Sequence, residues 1–126
     1  MILVPISIGE LIDKLTILQI KLQNIDDPVK WGNVKNEWDT LSGLSEYKDI
    51  AYEVAPFFTN LYIINMELWK IEDDIRECER TQNFGDRFIA LARSVYIMND
   101  KRAAIKKDVN IKYKSKIVEE KSYKGY

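Results

Sequence analysis

The chain has 126 residues, of which 46% are hydrophobic and 31% charged, and its formal net charge is −1. This length and balance are typical of one globular domain spanning residues 1–126, and they argue against disorder and against a fibrous repeat. Its single cysteine cannot form an internal disulfide, and no apolar run reaches the roughly 18 residues of a membrane span, so we expect a cytoplasmic (intracellular) protein.

The first predicted helix begins near Ile8, because Ser7 and Glu10 have the spacing of a capping box. Apolar residues then recur at alternating spacings of four and three, which indicates a helical stripe. The stripe consists of Leu11, Leu15, Leu18, Leu22 and Ile25. Ile17 and Ile20 lie nearly opposite this stripe, so the helix has two apolar faces and is predicted to be buried on both.

A second, shorter helix is predicted after Asp27 and Pro28, which supply an N-cap and a proline in the first turn. This helix carries its own short apolar stripe and ends near Gly43. It can cover only one face of the first helix. Either the rest of the chain or a second copy of the protein is therefore expected to cover the other face.

Two long helices complete the predicted architecture. The third runs from Pro56 to about Gln82, and the segment TQNFGD then interrupts the pattern, with Gly85 in a left-handed or tight conformation and Asp86 as the next cap. The fourth continues to Val109. Because the linker is short, these two helices are predicted to fold back as an antiparallel hairpin.

The predicted fold class is therefore all-α, with a long antiparallel helical hairpin packed against one or two further helices. The segments ILV at 2–4 and KIV at 116–118 have an extended pattern. In addition to the helical fold, these two segments could therefore form a minor β pairing of the termini.

Charge is distributed unevenly along the chain. Residues 1–100 carry 10 basic and 17 acidic side chains, whereas residues 101–126 carry 9 basic and 3 acidic ones. A basic C-terminal tail thus begins at about residue 110. We favour a tail that lies on the acidic body of its own chain or of a neighbour, while an anionic partner such as nucleic acid is less favoured but stays open.

The segment WKIEDDIRECER, residues 69–80, is rich in carboxylates. Helical geometry places Asp73 and Glu77 on the side away from the apolar stripe, where they face water and form ion pairs with nearby arginines. Glu72 and Glu79 fall together on one flank of the stripe. Only this pair is a candidate for metal chemistry.

Glu10 and Asp13 form an E-x-x-D step on the first helix. The segment GELIDKLTIL is similar to the second half of the signature of all-helical nucleotide pyrophosphatases of the MazG type, which implies an Mg²⁺ site. Such a site would use Glu10, Asp13, Glu72 and Glu79 as ligands. The sequence lacks the E-x-x-E half of that signature, so we favour the interpretation without a metal or cofactor.

Arg102 interrupts the apolar stripe of the fourth helix, and Asn99 lies beside it. A buried arginine must be paired, and hairpin geometry predicts acceptors such as Glu67, Glu72 or the amide of Asn65. One interpretation is a polar layer that sets the register of the hairpin, which we favour. The other is an anion-binding pocket.

Other catalytic constellations find no support in the sequence. The chain contains no histidine, which excludes Ser-His-Asp and Cys-His systems and the usual zinc sites. Its five glycines are scattered and form no phosphate-binding loop. Cys78 lies on an apolar stripe and is predicted to be a core thiol.

Three segments together resemble an uncharacterised family of small helical bacterial and phage proteins: ISIGELIDKLTILQIKL, ARSVYIMNDKRAAIKKDVN and IVEEKSY. The resemblance covers most of the chain. It implies no activity and no functional residues.

We therefore predict a helical scaffold or interaction protein rather than an enzyme. The second apolar face of the first helix, at Ile17 and Ile20, is the predicted interface of a homo-oligomer, with a dimer favoured. Another protein partner is left open. The alternative is the Mg²⁺-dependent pyrophosphatase-like enzyme.

Overall fold

The computed structural model describes all 126 residues and contains five helices and no β-strand. The helices are α1 (Ile8–Asn24), α2 (Pro28–Ser42), α3 (Ser45–Lys48), α4 (Ala51–Arg80) and α5 (Asp86–Lys112). The predicted all-α class is confirmed. None of the helices is long and apolar enough to cross a membrane.

The predicted β pairing of the termini is wrong. Residues 2–4 and 116–118 have no regular secondary structure. No residue of 2–4 makes a backbone hydrogen bond, and Val4 is still 68% exposed. An extended pattern forms a strand only where a partner strand completes its hydrogen bonds, and here the two termini do not provide one.

The first two helices begin where their caps predict. Ser7 Oγ accepts a hydrogen bond from the Glu10 amide at 3.1 Å, and the Asp27 carboxylate accepts one from the Lys30 amide at 2.9 Å. The capping box of α1 is only half formed, however. The Glu10 carboxylate accepts from Lys106 Nζ of α5 at 2.7 Å, because a charged partner binds it more strongly than a backbone amide does.

The third predicted helix corresponds to α4, which begins at Ala51 and contains Pro56 in its second turn. Pro56 does not mark the start. Val54, two residues earlier, is completely buried in the core beside Leu61. Burial of this side chain extends the helix at the cost of the one backbone hydrogen bond that proline cannot donate.

The turn between α4 and α5 is closed by Gln82, which has a φ of 54°, and not by Gly85, whose φ is −82°. The Asn83 amide donates to the carbonyl of Cys78 at 2.9 Å. This bond spans the end of α4 in the manner of a Schellman motif, which requires a left-handed residue just after the helix.

Helix α1 is the centre of the fold. Its residues Leu11, Leu15 and Leu18 pack on α2, where Val34 and Trp38 cover them. On its other side, Ile12 forms a core cluster with three residues of the hairpin, namely Val54, Leu61 and Val109. The hairpin therefore packs against this other side of α1.

The turn end of the hairpin projects beyond α1, since α4 has 30 residues and α1 only 17. The acidic segment, residues 69–80, leads to this end and is chiefly solvated, as predicted. Asp73 and Glu77 are exposed, and Glu77 forms an ion pair with Arg80. Asp74, which is half-buried, lies 3.6 Å from Arg87 of α5.

Replacing Asp73 and Glu77 together with glutamine is expected to change the free energy of unfolding by less than about 0.5 kcal/mol, because exposed ion pairs contribute little. Urea unfolding followed by circular dichroism measures this change. Melting curves with and without Mg²⁺ are recorded for the same proteins. A loss of several kcal/mol, or an Mg²⁺-dependent rise in melting temperature that the substitutions abolish, would identify these carboxylates as ligands.

Candidate functional site at the contact of helices α1 and α5

The first turn of α1 lies directly against the last turns of α5. The Gly9 amide donates to Asn110 Oδ1 at 2.7 Å. A Cβ atom added to Gly9 would lie 2.5 Å from the backbone oxygen of Lys106. Only glycine therefore permits this approach, which brings the polar residues of the two helices together.

The centre of the contact is a buried ion pair. The Asp13 side chain is 0% exposed, and Arg102 donates to both its oxygens, from Nε to Oδ1 at 2.9 Å and from Nη2 to Oδ2 at 2.5 Å. Asn65 of α4 donates from Nδ2 to Asp13 Oδ1 at 2.9 Å and to Thr16 Oγ1 at 2.8 Å. The hydrogen bond to Asp13 raises the pKa of Arg102.

The prediction that Arg102 must be paired is confirmed, but its predicted carboxylate partners are wrong. Glu67 and Glu72 are exposed on α4. Arg102 reaches across to α1 instead, because the hairpin covers the face of α1 that carries Asp13. Asn99 lies beside Arg102, with its Oδ1 3.5 Å from Nη1.

Lys106, one turn further along α5, extends the polar network. Its side chain is only 9% exposed, and its Nζ lies 2.7 Å from Glu10, 2.8 Å from Glu119 and 4.0 Å from Asp13. Burial alone lowers the pKa of Lys106, but the hydrogen bonds with Glu10 and Glu119 outweigh it, so the pKa is raised. The stabilisation is therefore fully present at neutral pH and is lost only in strongly alkaline solution.

The C-terminal tail, residues 113–126, lies back along α5 of its own chain. Glu120 contacts Lys107 at 3.0 Å, and Lys121 contacts Asp100 at 3.3 Å. The Tyr126 ring packs edge-on against Tyr96. Both signs of charge in the tail therefore have partners on α5.

Two cavities meet at Arg102 and Asn99, which line both. The cavity under the tail has a volume of about 560 Å³ and is lined mainly by polar and charged residues. The second cavity, of about 480 Å³, lies between α1, α4 and α5, and its wall includes Ile17, Ile20 and Trp69. Volumes of this size are in the range of small-molecule sites.

The four carboxylates predicted as Mg²⁺ ligands are not brought together. Glu10 binds Lys106, and Asp13 binds Arg102. Glu72 lines the second cavity, while Glu79 is exposed near the hairpin turn. No group of three or more acidic or thiol side chains has the placement of a metal site.

The predicted interface residues Ile17 and Ile20 both line the second cavity. Ile20 is 1% exposed and Ile17 is half-buried. Large exposed apolar side chains lie instead in the N-terminal arm, residues 1–6. Their exposed fractions are Met1 104%, Ile2 89%, Leu3 83%, Val4 68% and Ile6 41%.

The model of a family of unknown function, DUF6165, matches residues 2–126. The chain belongs to DUF6165. No curated protein matches it, and no solved structure does. The predicted resemblance to an uncharacterised family is thereby confirmed.

In this DUF6165 fold, the three segments that carried the resemblance contact one another. GELID supplies Glu10 and Asp13 from α1, NDKRAAIK supplies Arg102 and Lys106 from α5, and IVEE supplies Glu119 from the tail. The sequence contains a signal for this contact. Residues three or four apart lie on one face of a helix, so α1 has a face with two acids, Glu10 and Asp13, and α5 has a face with two bases, Arg102 and Lys106. Opposite charges on two such faces favour their contact.

Proposed function

We propose that this DUF6165 protein acts by association, as an intracellular helical interaction protein that binds a second copy of itself through the N-terminal arm. The observation that supports this proposal is the arm itself. Its apolar side chains at Met1, Ile2, Leu3 and Val4 are all at least 68% exposed. The only cysteine, Cys78, is buried and unpaired, as is common in the reducing interior of a cell.

Leaving such an arm in water is unfavourable, since burying one large aliphatic side chain contributes roughly 1.5 to 3 kcal/mol. A second copy offers the simplest cover, because two arms exchanged about a twofold axis bury the same patch twice. Ile111, Ile117 and Val118 are exposed at the same end of the bundle, where Ser115 meets the start of α1. They extend the apolar surface that an exchanged arm can reach.

The test compares two matched substitutions, Val4→Asp in the arm and Val29→Asp at the start of α2, where the valines are 68% and 74% exposed. We expect Val4→Asp to weaken self-association at least about tenfold, which corresponds to about 1.4 kcal/mol. Val29→Asp is expected to leave self-association unchanged. Sedimentation velocity over a concentration series gives the dissociation constants.

Both variants should keep the wild-type helical content, because neither valine contributes to the core. Wild-type protein that is monomeric at high micromolar concentration would refute self-association. If the wild-type protein instead binds a different protein, and Val4→Asp abolishes that binding, the arm is still an interface but its partner is not a second copy.

A further inference from the structure

We infer that the C-terminal tail covers an oxyanion-binding site on α5, and that the Glu119 carboxylate occupies this site as an internal ligand that a phosphate or carboxylate group displaces. The inference rests on the surroundings of Lys106, on unused donors next to it, and on the weak attachment of the tail. It does not depend on the N-terminal arm.

The ammonium group of Lys106 is positioned to bind an anion. Its side chain is nine-tenths buried, and Glu10 and Asp13 of α1 hold its ammonium group on one side at 2.7 and 4.0 Å. The remaining side faces the tail, where Glu119 accepts at 2.8 Å. When Glu119 leaves, a buried ammonium group loses a strong acceptor, which an incoming oxyanion can replace.

Further donors lie beside Lys106. A cavity of about 170 Å³ between α5 and the tail is lined by Lys106, Lys107 and Asn110. Asn110 is 1% exposed, and its Nδ2 is buried without a hydrogen-bond partner, while its Oδ1 accepts from the Gly9 amide. A buried amide nitrogen without a partner in the chain indicates a missing acceptor.

The tail is attached by contacts that break easily. Every residue from 116 to 126 is exposed, and Glu119 keeps 59% of its side chain in solvent. The other ion pairs of the tail, Glu120 with Lys107 and Lys121 with Asp100, have side chains that are 40% to 66% exposed. Such exposed pairs contribute little stability, so the main free-energy cost of lifting the tail is the loss of Glu119 from Lys106, which an incoming oxyanion offsets.

The chemical class of the ligand follows from the charged groups that leave the site when the tail is lifted. At Lys106 and Lys107, lifting the tail removes two carboxylates, Glu119 and Glu120, so a group with two negative charges replaces them best. Lys121 leaves as well, but its partner is Asp100, elsewhere on α5. The adjoining cavity of about 560 Å³ offers Arg102 and Asn99 to a polar body attached to that group. A phosphate group, or a pair of carboxylates on one small molecule, has this charge.

The experiment uses the full chain and inorganic phosphate as the probe, at constant ionic strength set with chloride. Trypsin cleavage after Lys121 and Lys124 reports the release of the tail. Each rate is divided by the rate for the same protein unfolded beforehand, which removes effects of local sequence on the protease. We expect phosphate to accelerate cleavage of the wild-type protein several-fold.

Two variants with the same change of charge separate the site from general electrostatics. E119Q is expected to be cleaved rapidly without phosphate and to bind phosphate about three- to tenfold more tightly by calorimetry, because the internal competitor is gone. E79Q removes an exposed carboxylate near the hairpin turn, far from the tail. It should behave as wild type in both measurements.

The two ligand sources are compared by adding succinate or acetate in place of phosphate. Acetate, with one charge, is expected to bind more weakly than phosphate or succinate, and preference for one of the dianions identifies the source. Equal phosphate affinity of wild type and E119Q, or phosphate binding that leaves the cleavage rate unchanged, would overturn the inference. So would an absence of phosphate binding to E119Q.

Discussion

Arg102→Ala is expected to lower the free energy of unfolding by about 3 to 5 kcal/mol, because it leaves a buried carboxylate without its main partner. Asp13 is completely buried and accepts two hydrogen bonds from the Arg102 guanidinium group. After the substitution, only the Asn65 amide and the more distant Lys106 face it. Urea unfolding of the two proteins measures the difference.

A variant that lacks both members of the pair distinguishes two free energies. One is the destabilisation caused by an unpaired buried charge, and the other is the net contribution of the ion pair to stability. The double variant Asp13→Leu with Arg102→Met should be more stable than Arg102→Ala, since no unpaired charge remains in the core. Arg80→Ala is the matched control, because Arg80 pairs with Glu77 on the exposed side of α4. If Arg102→Ala cost no more than Arg80→Ala, the ion pair would not stabilise the fold.

Gly9→Ala is expected to destabilise the protein by about 1 to 3 kcal/mol, as overpacking in a close contact does. The added Cβ would lie 2.5 Å from the backbone oxygen of Lys106 and 2.8 Å from Asn110 Oδ1. Neither atom is the end of a free side chain, since one is backbone and the other accepts from the Gly9 amide. Helix α1 must therefore move away from α5.

Gly32→Ala makes the same change in α2, where nothing lies within 4 Å of the added Cβ. There the higher helix propensity of alanine should stabilise the protein by about 0.5 to 1 kcal/mol. The two variants are thus expected to differ in sign, which melting temperature reports directly. A Gly9→Ala variant as stable as Gly32→Ala would show that α1 and α5 do not approach this closely in solution.

The caps and stripes of the helices were predictable because they depend on neighbours in the sequence. Ser7 and Asp27 cap helices by binding amides three residues later. The leucines of α1 recur at helical spacing, and the short linker after α4 forces the chain back on itself. These effects need no knowledge of distant residues.

The start of α4 and the turn after it could not be predicted in the same way. Pro56 is a local signal for a helix start, but the burial of Val54 among residues from other helices extends α4 beyond it. At the turn, Gly85 is the usual left-handed residue, yet Gln82 takes that conformation. The left-handed residue must come just after the helix end, so the residue at which α4 ends determines which residue adopts this conformation.

In the candidate site, too, some features follow from neighbouring residues in the sequence and others depend on the tertiary structure. The need of Arg102 for an acceptor follows from its place in an apolar stripe, but its acceptor, Asp13, lies 89 residues away in sequence. Asp13 lies outside the leucine stripe of α1. Whether that side faces water or the hairpin depends on how α1 packs. The periodicity of the sequence cannot decide this, because it shows only whether a face is apolar or polar.

By itself, the sequence determined an all-α chain with a capped first helix, a long antiparallel hairpin, and an arginine that requires a partner, since hydrogen bonding and burial at helical spacing act locally. Only the tertiary structure decided that the hairpin covers the back of α1 and that Gly9 brings α1 against α5. Only it placed Glu119 on Lys106 and left the N-terminal arm exposed. These features depend on which helix faces meet, and the free energy of that choice is shared among residues far apart in the chain.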